Sequence, residues 1–359
     1  MTKLDDLIDT YEHEVMEELG RVKTNKHPDF DLYIANYTNK AQFENEWTNT
    51  ERVCRGLIYD LQGNVISRGM PKFFNYGDAR IGEEVTDDTI VEAYTKWDGS
   101  LGVCYVQPDG QVAVATRGSF TSEQALVATS YLRDGQQRVN ASHVHEAAEH
   151  GQTILVEIIY PENKIVVDYG ETRMLRLLGW VDNQTGGFEP SHSNLRFTGP
   201  LYQLMKRGVQ TNEEGFVCQT RTGNLFKVKG EEYKTLHKLI FGISNKTLWE
   251  TLAHGGYGRF RELRNQLPAP MAVWADRWYK KFQIQQAKLY TETVEIYHRL
   301  TDDLPDRKTL AIRLKEERPD LLSLVFTFVD YGDSGLIKQI YKAIKPTKFE
   351  PYATAPKED

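Results

Sequence analysis

The 359 residues leave room for two domains, and 40% hydrophobic with 26% charged residues is the balance of an ordinary globular protein. The sequence holds no run of about 18 apolar residues that would cross a membrane. Met1–Asp6 brings acids early, without the apolar stretch of a signal peptide, and the three cysteines, Cys54, Cys104 and Cys218, stand far apart. These features argue against a membrane span, a disulfide framework and a zinc site, and a cytoplasmic protein is expected.

A net charge of −7 counts against a nucleic-acid partner when taken as a whole. The charge is uneven, however. Residues 1–244 hold 25 Lys+Arg against 35 Asp+Glu, whereas residues 245–359 hold 19 against 16. An acidic first part and a mildly basic second part predict two modules, 1–244 and 245–359. Local positive patches would suffice for an enzyme that must release its product.

In chain order, Leu4, Leu7, Ile8, Tyr11, Val15 and Leu19 recur at helical spacing and predict an amphipathic helix over 3–20. Leu32–Tyr37 reads as a strand. Arg55–Asp60 and Val65–Arg68 read as a hairpin about Leu61-Gln62-Gly63-Asn64. Ile90–Thr95 leads into Lys96-Trp97-Asp98-Gly99-Ser100, and Leu101–Gln107 leaves it. The lysine segment is expected to pair with the hairpin that turns at Pro108-Asp109-Gly110 and returns over Gln111–Thr116. Thr121 is the expected N-cap of a helix with Glu123 and Gln124 in its first turn. His143 and His145, without a nearby cysteine, mark the surface cap region of another helix. Further strands are predicted over Ile154–Tyr160, Lys164–Asp168 and Met174–Val181. A last hairpin, Gly215–Thr220 and Leu225–Lys229, precedes a helix over Glu231–Ile240. From Asn245 only helical patterns remain, over 270–300, 307–316, 319–330 and 334–344. Leu267-Pro268-Ala269-Pro270 and Leu304-Pro305 punctuate them, and a Pro- and charge-rich tail follows from Pro346.

A lysine presented between two strands suggests that its amine has a task. With a reference pKa of about 10.4 it is protonated and inert at neutral pH. A second cation or desolvation would be needed to make it a nucleophile. Lys227 and Lys229 alternate with Phe226 and Val228, so both point to one strand face. That pattern suits either a solvated strand edge or a site that offsets polyphosphate charge. Glu157 interrupts the apolar run Ile154-Leu155-Val156-Glu157-Ile158-Ile159, where a lone acid is costly to bury. Glu214 stands at the mouth of the next strand. Two such acids could hold a ribose hydroxyl or a hard cation, which prefers one or two carboxylates plus substrate phosphates. Arg55, Lys72 and Arg117 lie beside compact β-prone runs. Phe74 reads as core by its spacing, with a base platform as the other possibility. The sequence has no Walker-A loop, G-x-G-x-x-G, H-E-x-x-H or G-x-S-x-G motif.

The ordered set Lys96-x-Asp98-Gly99, Glu157, Glu214-Gly215 and Lys227-x-Lys229 resembles the motifs of the covalent nucleotidyltransferases, the polynucleotide ligases and mRNA capping enzymes. Leu101 stands where DNA ligases and capping enzymes usually place arginine. With Cys54-Arg55-Gly56, Lys72-Phe73-Phe74-Asn75, Ser119–Ala125 and Pro161–Val166, the pattern is similar to the bacteriophage RNA ligase 1 family, of the tRNA-repair type, over residues 30–235. The resemblance implies an α+β fold: an ATP-grasp-like nucleotidyltransferase domain of antiparallel sheets with flanking helices, then an all-helical C-terminal domain. It also implies ATP as substrate and Mg2+ as cofactor. Lys96 would be the adenylylated nucleophile, with Asp98 and Gly99 forming its turn and Glu214 near the metal. Tyr37, Arg55, Lys72, Phe74, Arg117, Glu157, Lys227 and Lys229 would contact ATP or AMP, although the family more often shows lysine at the Arg117 position. The implied partner is RNA, notably tRNA with an anticodon-loop break, and an upstream polynucleotide kinase/phosphatase would prepare the ends. If the protein is phage-encoded, it would work in the host cytoplasm. The alternatives are a DNA nick ligase or capping guanylyltransferase and, from another class, a non-catalytic RNA-binding protein. Arg259, Arg261 and Arg264 suggest that the helical tail grips tRNA, with a solvated charged face as the competing explanation.

Overall fold

The computed structural model describes residues 2–267, 269–303 and 305–352. Pro268 and Leu304, expected to punctuate the helices, and the end of the tail lie outside the described residues. The chain forms two compact units, 1–237 and 238–354. The fold is α+β, with antiparallel sheets flanked by helices and a helical C-terminal region. No helix among the described residues is long and apolar enough to cross a membrane.

In the first unit, β1 (Val22–Lys26), β2 (Leu32–Tyr37), β3 (Arg55–Asp60) and β4 (Val65–Ser67) form a sheet in chain order. The later strands are β5 (Phe74–Asn75), β6 (Ile90–Lys96), β7 (Ser100–Val106), β8 (Val112–Ala115), β9 (Gln152–Ile159), β10 (Met174–Asp182), β11 (Phe188–Pro190), β12 (Leu195–Pro200), β13 (Gly215–Thr220) and β14 (Leu225–Lys229). They build two five-stranded sheets, ordered β11-β10-β9-β7-β8 and β12-β6-β13-β14-β5. Only β5, parallel to β14, departs from antiparallel pairing in the described sheets.

The expected pairing of the lysine strand with the β7–β8 hairpin does not form. Strand β6 pairs with β12 and β13, whereas β7 pairs with β8 and β9. Trp97-Asp98-Gly99 therefore crosses from one sheet to the other. This topology places Lys96 at the seam, where residues from both sheets reach it.

The helices α1 (Thr10–Glu18), α2 (Asn39–Glu44), α3 (Asn49–Val53), α4 (Glu123–Arg133), α5 (Ala141–Glu149) and α6 (Leu201–Arg207) flank these sheets. The expected opening helix is interrupted. Leu4–Asp6 is a single 3₁₀ turn, and α1 starts anew where the Asp9 carboxylate accepts the Glu12 N–H at 3.1 Å. Ser122, rather than Thr121, caps α4, and its hydroxyl accepts the Ala125 N–H at 3.2 Å. His143 and His145 lie within α5, whose cap is Asn140. Val144 and Ala147 of α5 and Ala128 and Leu132 of α4 cover Ile154, Val156 and Ile158 on one face of β9. Leu155, on the opposite face, joins Leu101, Val103 and Tyr105 in a second core that includes Ile34 and Ile58.

Next come α7 (Glu231–Gly242), α8 (Asn245–Asn265), α9 (Ala269–Leu300), α10 (Arg307–Glu317) and α11 (Leu322–Ala343). The second unit has its own core, in which Leu300, Leu314, Val325, Leu336 and Ile340 are buried together. The helices expected over 319–330 and 334–344 are joined in α11, with a kink at Gly332, whose φ of 63° suits glycine.

Candidate active site

Strand register assembles the site. Gly215 lies opposite Lys96 on β6 and opposite Lys229 on β14, so the residue before it, Glu214, sits between the two lysines. Glu214 Oε2 accepts the Lys96 amine at 2.8 Å, and Oε1 accepts Lys229 at 2.8 Å. Glu214 is only 3% exposed. A Cβ on Gly215 would lie 2.0 Å from the Val228 carbonyl oxygen, and φ there is +145°, so this crossing requires glycine.

The loop after Lys96 is held from three directions. Asp98 Oδ2 accepts the N–H groups of Val166 and Val167, each at 2.8 Å, while Oδ1 accepts the Tyr233 hydroxyl at 2.7 Å. The Asp98 N–H donates to the Tyr169 hydroxyl at 2.9 Å. Asp98 therefore ties the loop to distant segments rather than closing its own turn. The same bonds explain why Lys164–Asp168, expected as a strand, is irregular: two of its N–H groups serve a carboxylate instead of a ladder. The Gly99 N–H donates to Glu157 Oε1 at 3.0 Å. A Cβ on Gly99 would sit 2.6 Å from the Ile158 carbonyl oxygen, so the glycine permits close passage over β9.

Burial draws the Lys96 amine down, but the Glu214, Glu157 and Asp98 carboxylates outweigh it and hold the amine above its ordinary value. Burial pushes Glu214 up, yet Lys96 and Lys229 keep it below the usual carboxylate range. Glu157 is raised to about 8 by burial, with Glu214 and Asp98 adding to the effect and Lys96 opposing it. Lys227 falls to about 6, through burial and then the charges of Lys96, Lys72, Lys229 and Arg55. Lys96 is therefore not brought below its ordinary value by a second cation or by desolvation, the two routes by which its amine was expected to become a nucleophile. In the resting site Glu214 intervenes, and Lys227 is the lysine that approaches neutrality.

Residues 53–197 match the family model described as RNA ligase. Over that stretch the chain is similar to RNA ligases. The chain is also similar in structure to an archaeal ATP-dependent RNA ligase in its form 2, with 13% identity, a TM-score of 0.48, and coverage of 78% of this chain and 80% of that one. Form 1 of the archaeal enzyme gives 12% identity, a TM-score of 0.44, and coverage of 76% and 75%. The Naegleria gruberi RNA ligase with PPi gives 16% identity, a TM-score of 0.33, and coverage of 42% and 52%. The family match contains Lys96 and Glu157 but ends before Glu214, so the β6–β13–β14 register is what brings Glu214, Lys227 and Lys229 to Lys96.

Around Lys96 the first unit seats cations on aromatic rings. Lys72 lies 5.0 Å from the ring centre of Tyr37 and 4.7 Å from that of Trp47. Arg117 lies 4.7 Å from the Tyr37 ring and donates to the Tyr37 hydroxyl at 2.6 Å. Lys227 and Arg55 stand 5.2 and 5.8 Å from Phe73. Burial lowers Lys72, Tyr37 opposes that shift, and Arg55 and Arg117 reinforce it. Phe74 is 5% exposed and joins the core with Phe216 and Phe226, so Phe73 is the ring that meets Lys227 and Arg55.

Sequence reasoning missed Phe73, Trp47, Tyr169 and Tyr233. Phe73 was signalled only by standing next to Lys72, and alternation pointed instead to Phe74. Trp47, in a loop before α3, offered none. Among the described residues no three His, Cys, Asp or Glu side chains form a metal cage. The ionised Glu214 fits a divalent ion that takes one carboxylate and completes its shell with phosphate oxygens.

Proposed function

We propose that the protein is an ATP-dependent RNA ligase that joins 5′-phosphate and 3′-hydroxyl ends, and that its substrate is a tRNA broken in the anticodon loop. The observation that carries this reading is Glu214 clamped between Lys96 and Lys229, beside the loop of a domain matched to RNA ligases.

After its ammonium gives up a proton to solvent, Lys96 Nζ attacks the α-phosphorus of ATP. An N–P bond forms, the bond to the β-phosphate oxygen breaks, and pyrophosphate leaves. An oxygen of the RNA 5′-phosphate then takes the adenylate, breaking the N–P bond and freeing the amine. The 3′-hydroxyl attacks the activated phosphorus, loses its proton, and AMP departs. Arg55, Lys72 and Arg117 draw in the nucleotide, and Lys227 and Lys229 offset charge on its phosphates. A phosphate close to Lys227 would raise that amine again and so convert a neutral lysine into a clamp. Glu157 holds the ribose. A divalent cation, Mg2+ in this reading, would be held by Glu214 and the nucleotide and would weaken the carboxylate's hold on Lys96.

The test is incubation of the full chain with α-labelled ATP and a divalent cation. Label should join the wild-type protein, map to Lys96 rather than Lys227, and vanish in Lys96→Ala. An unlabelled wild-type protein would end the enzyme reading. Sealing assays on single-stranded RNA, nicked DNA and a broken tRNA stem-loop address the substrate, and joining of nicked DNA alone would refute the choice of RNA. A polynucleotide kinase/phosphatase would act upstream by supplying the required ends.

A further inference from the structure

The two neighbours of Lys96 in sequence each hold an arginine from another strand. Arg196 of β12 donates its Nε–H to Thr95 Oγ1 at 2.7 Å. The Arg176 guanidinium of β10 lies 4.8 Å from the Trp97 ring centre. Its Nε donates to Asn194 Oδ1 and its Nη2 to the Ser193 carbonyl, each at 2.9 Å. Asn194 is 2% exposed, also accepts the Trp97 indole N–H at 3.1 Å, and donates to the Leu177 carbonyl at 2.7 Å. A buried amide thus fixes both Trp97 and Arg176.

Each guanidinium carries five N–H donors in a rigid fork, so most remain available once the fork is oriented. Among the described residues neither arginine has a carboxylate partner. Arg173, three residues from Arg176 on the same part of the chain, differs: it holds Glu162 through two nitrogens at 3.0 and 2.7 Å. Burial lowers Arg176, and the charges of Arg138 and Arg196 lower it further, so Arg176 lies within reach of both. Arg138 is exposed, forms no ion pair among the described residues, and lines a groove of about 410 Å³ with Trp180 and His143; Glu146 is the one acid there. Two oriented guanidinium groups, one of them on an indole face, and a third exposed on a groove suit an extended polyanion with unpaired bases.

We propose that Arg196, Arg176 and Arg138 form a track for the backbone phosphates of single-stranded RNA, running past the loop that carries Lys96. The identity of the polyanion as RNA rests on the ligase reading above.

The test measures binding of a short fluorescent 5′-phosphorylated single-stranded RNA to the full chain across a salt series, alongside labelling by α-labelled ATP. In R176A/R196A, affinity should fall about tenfold or more. The salt slope should fall by about 0.7 for each phosphate that is no longer neutralised. Labelling by ATP should stay within about twofold of wild type. R138E, at an exposed side chain, provides a second arm less prone to folding damage and should weaken binding severalfold. Unchanged RNA affinity and salt slope in R138E, or in R176A/R196A that still takes label, would overturn the track. If wild-type protein takes no label while both variants lose RNA binding, the track stands and the ligase reading falls.

Discussion

Arg264, Arg299, Arg307, Arg313 and Arg318 in the C-terminal unit each hold a carboxylate, at distances from 2.6 to 2.9 Å. In the first unit Lys72, Lys227, Arg55 and Arg176 instead lie against Tyr37, Trp47, Phe73 or Trp97. An exposed ion pair fixes a side chain but neutralises it and contributes little to stability. A ring orients a cation while leaving its charge for an anion. These five arginines are therefore less available to an anion than the four cations seated on rings. Total charge counts residues without asking which are already paired.

The sharpest way to break this contrast is Glu214, the carboxylate held between Lys96 and Lys229. Glu214→Gln should reduce labelling by roughly 10²–10³-fold at neutral pH, as expected when a central electrostatic group is removed. Because Glu214 helps hold the Lys96 amine above its ordinary value, the rising limb of the labelling rate should also move to lower pH. A variant that is slower with an unmoved limb would show that Glu214 does not control the lysine's proton.

Lys227 gives the next largest effect, with opposite signs for activity and stability. Its folded value of about 6 lies below its ordinary value, so between the two the unfolded chain binds a proton that the folded chain lacks. That penalty is fully present below the folded value and fades as pH rises toward about 10. Lys227→Met should lower labelling by about tenfold or more. It should also raise unfolding free energy at pH 7 by on the order of 1–3 kcal/mol. Denaturant melts at several pH values check the sign, and a gain that grew with pH would refute the account.

Much of the site was legible because motif order survives in one dimension: Lys96, Glu157, Glu214, Lys227 and Lys229 all stand out in the sequence alone. The hairpin carrying the last two was legible as well, since alternation and a Thr-Gly-Asn turn are local signals. What stayed hidden depends on partners far away in sequence. Nothing near Ile90–Thr95 says that its neighbours are β12 and β13 rather than the next hairpin. The charge of Lys96 could not be read without knowing that Glu214 lies 2.8 Å away. Lys164–Asp168 has strand-like composition, and only the Asp98 carboxylate explains its irregular path. Phe73 and Phe74 are adjacent and chemically identical, so burial alone decides which ring meets Lys227 and which joins the core.

Trp47 tests the role of the rings at smaller amplitude. A cation over an indole gains about 0.5–2 kcal/mol, depending on desolvation. Trp47→Leu should therefore raise the KM for ATP in labelling by about 3–10-fold with a smaller change in rate, and Trp47→Phe should recover part of it. An equal loss in both variants, with an unchanged KM, would mean that Trp47 supports folding rather than the position of Lys72.

The smallest effects belong to the C-terminal unit, and they sharpen the contrast there. Arg259 and Arg261 of α8 are exposed and have no ion pair among the described residues, whereas Arg264 on the same helix is held by Asp276 at 2.9 Å. If availability rather than charge count governs RNA binding, R259A/R261A should lower the preference for a broken tRNA over linear RNA by about twofold to fivefold in sealing assays, in line with one or two fewer neutralised phosphates. R264A should leave that preference unchanged, because a guanidinium already forked onto a carboxylate has little left to offer a phosphate. Equal losses in the two variants would show that the helix acts through its summed field. The paired arginines of this unit would then have to be counted with the free ones.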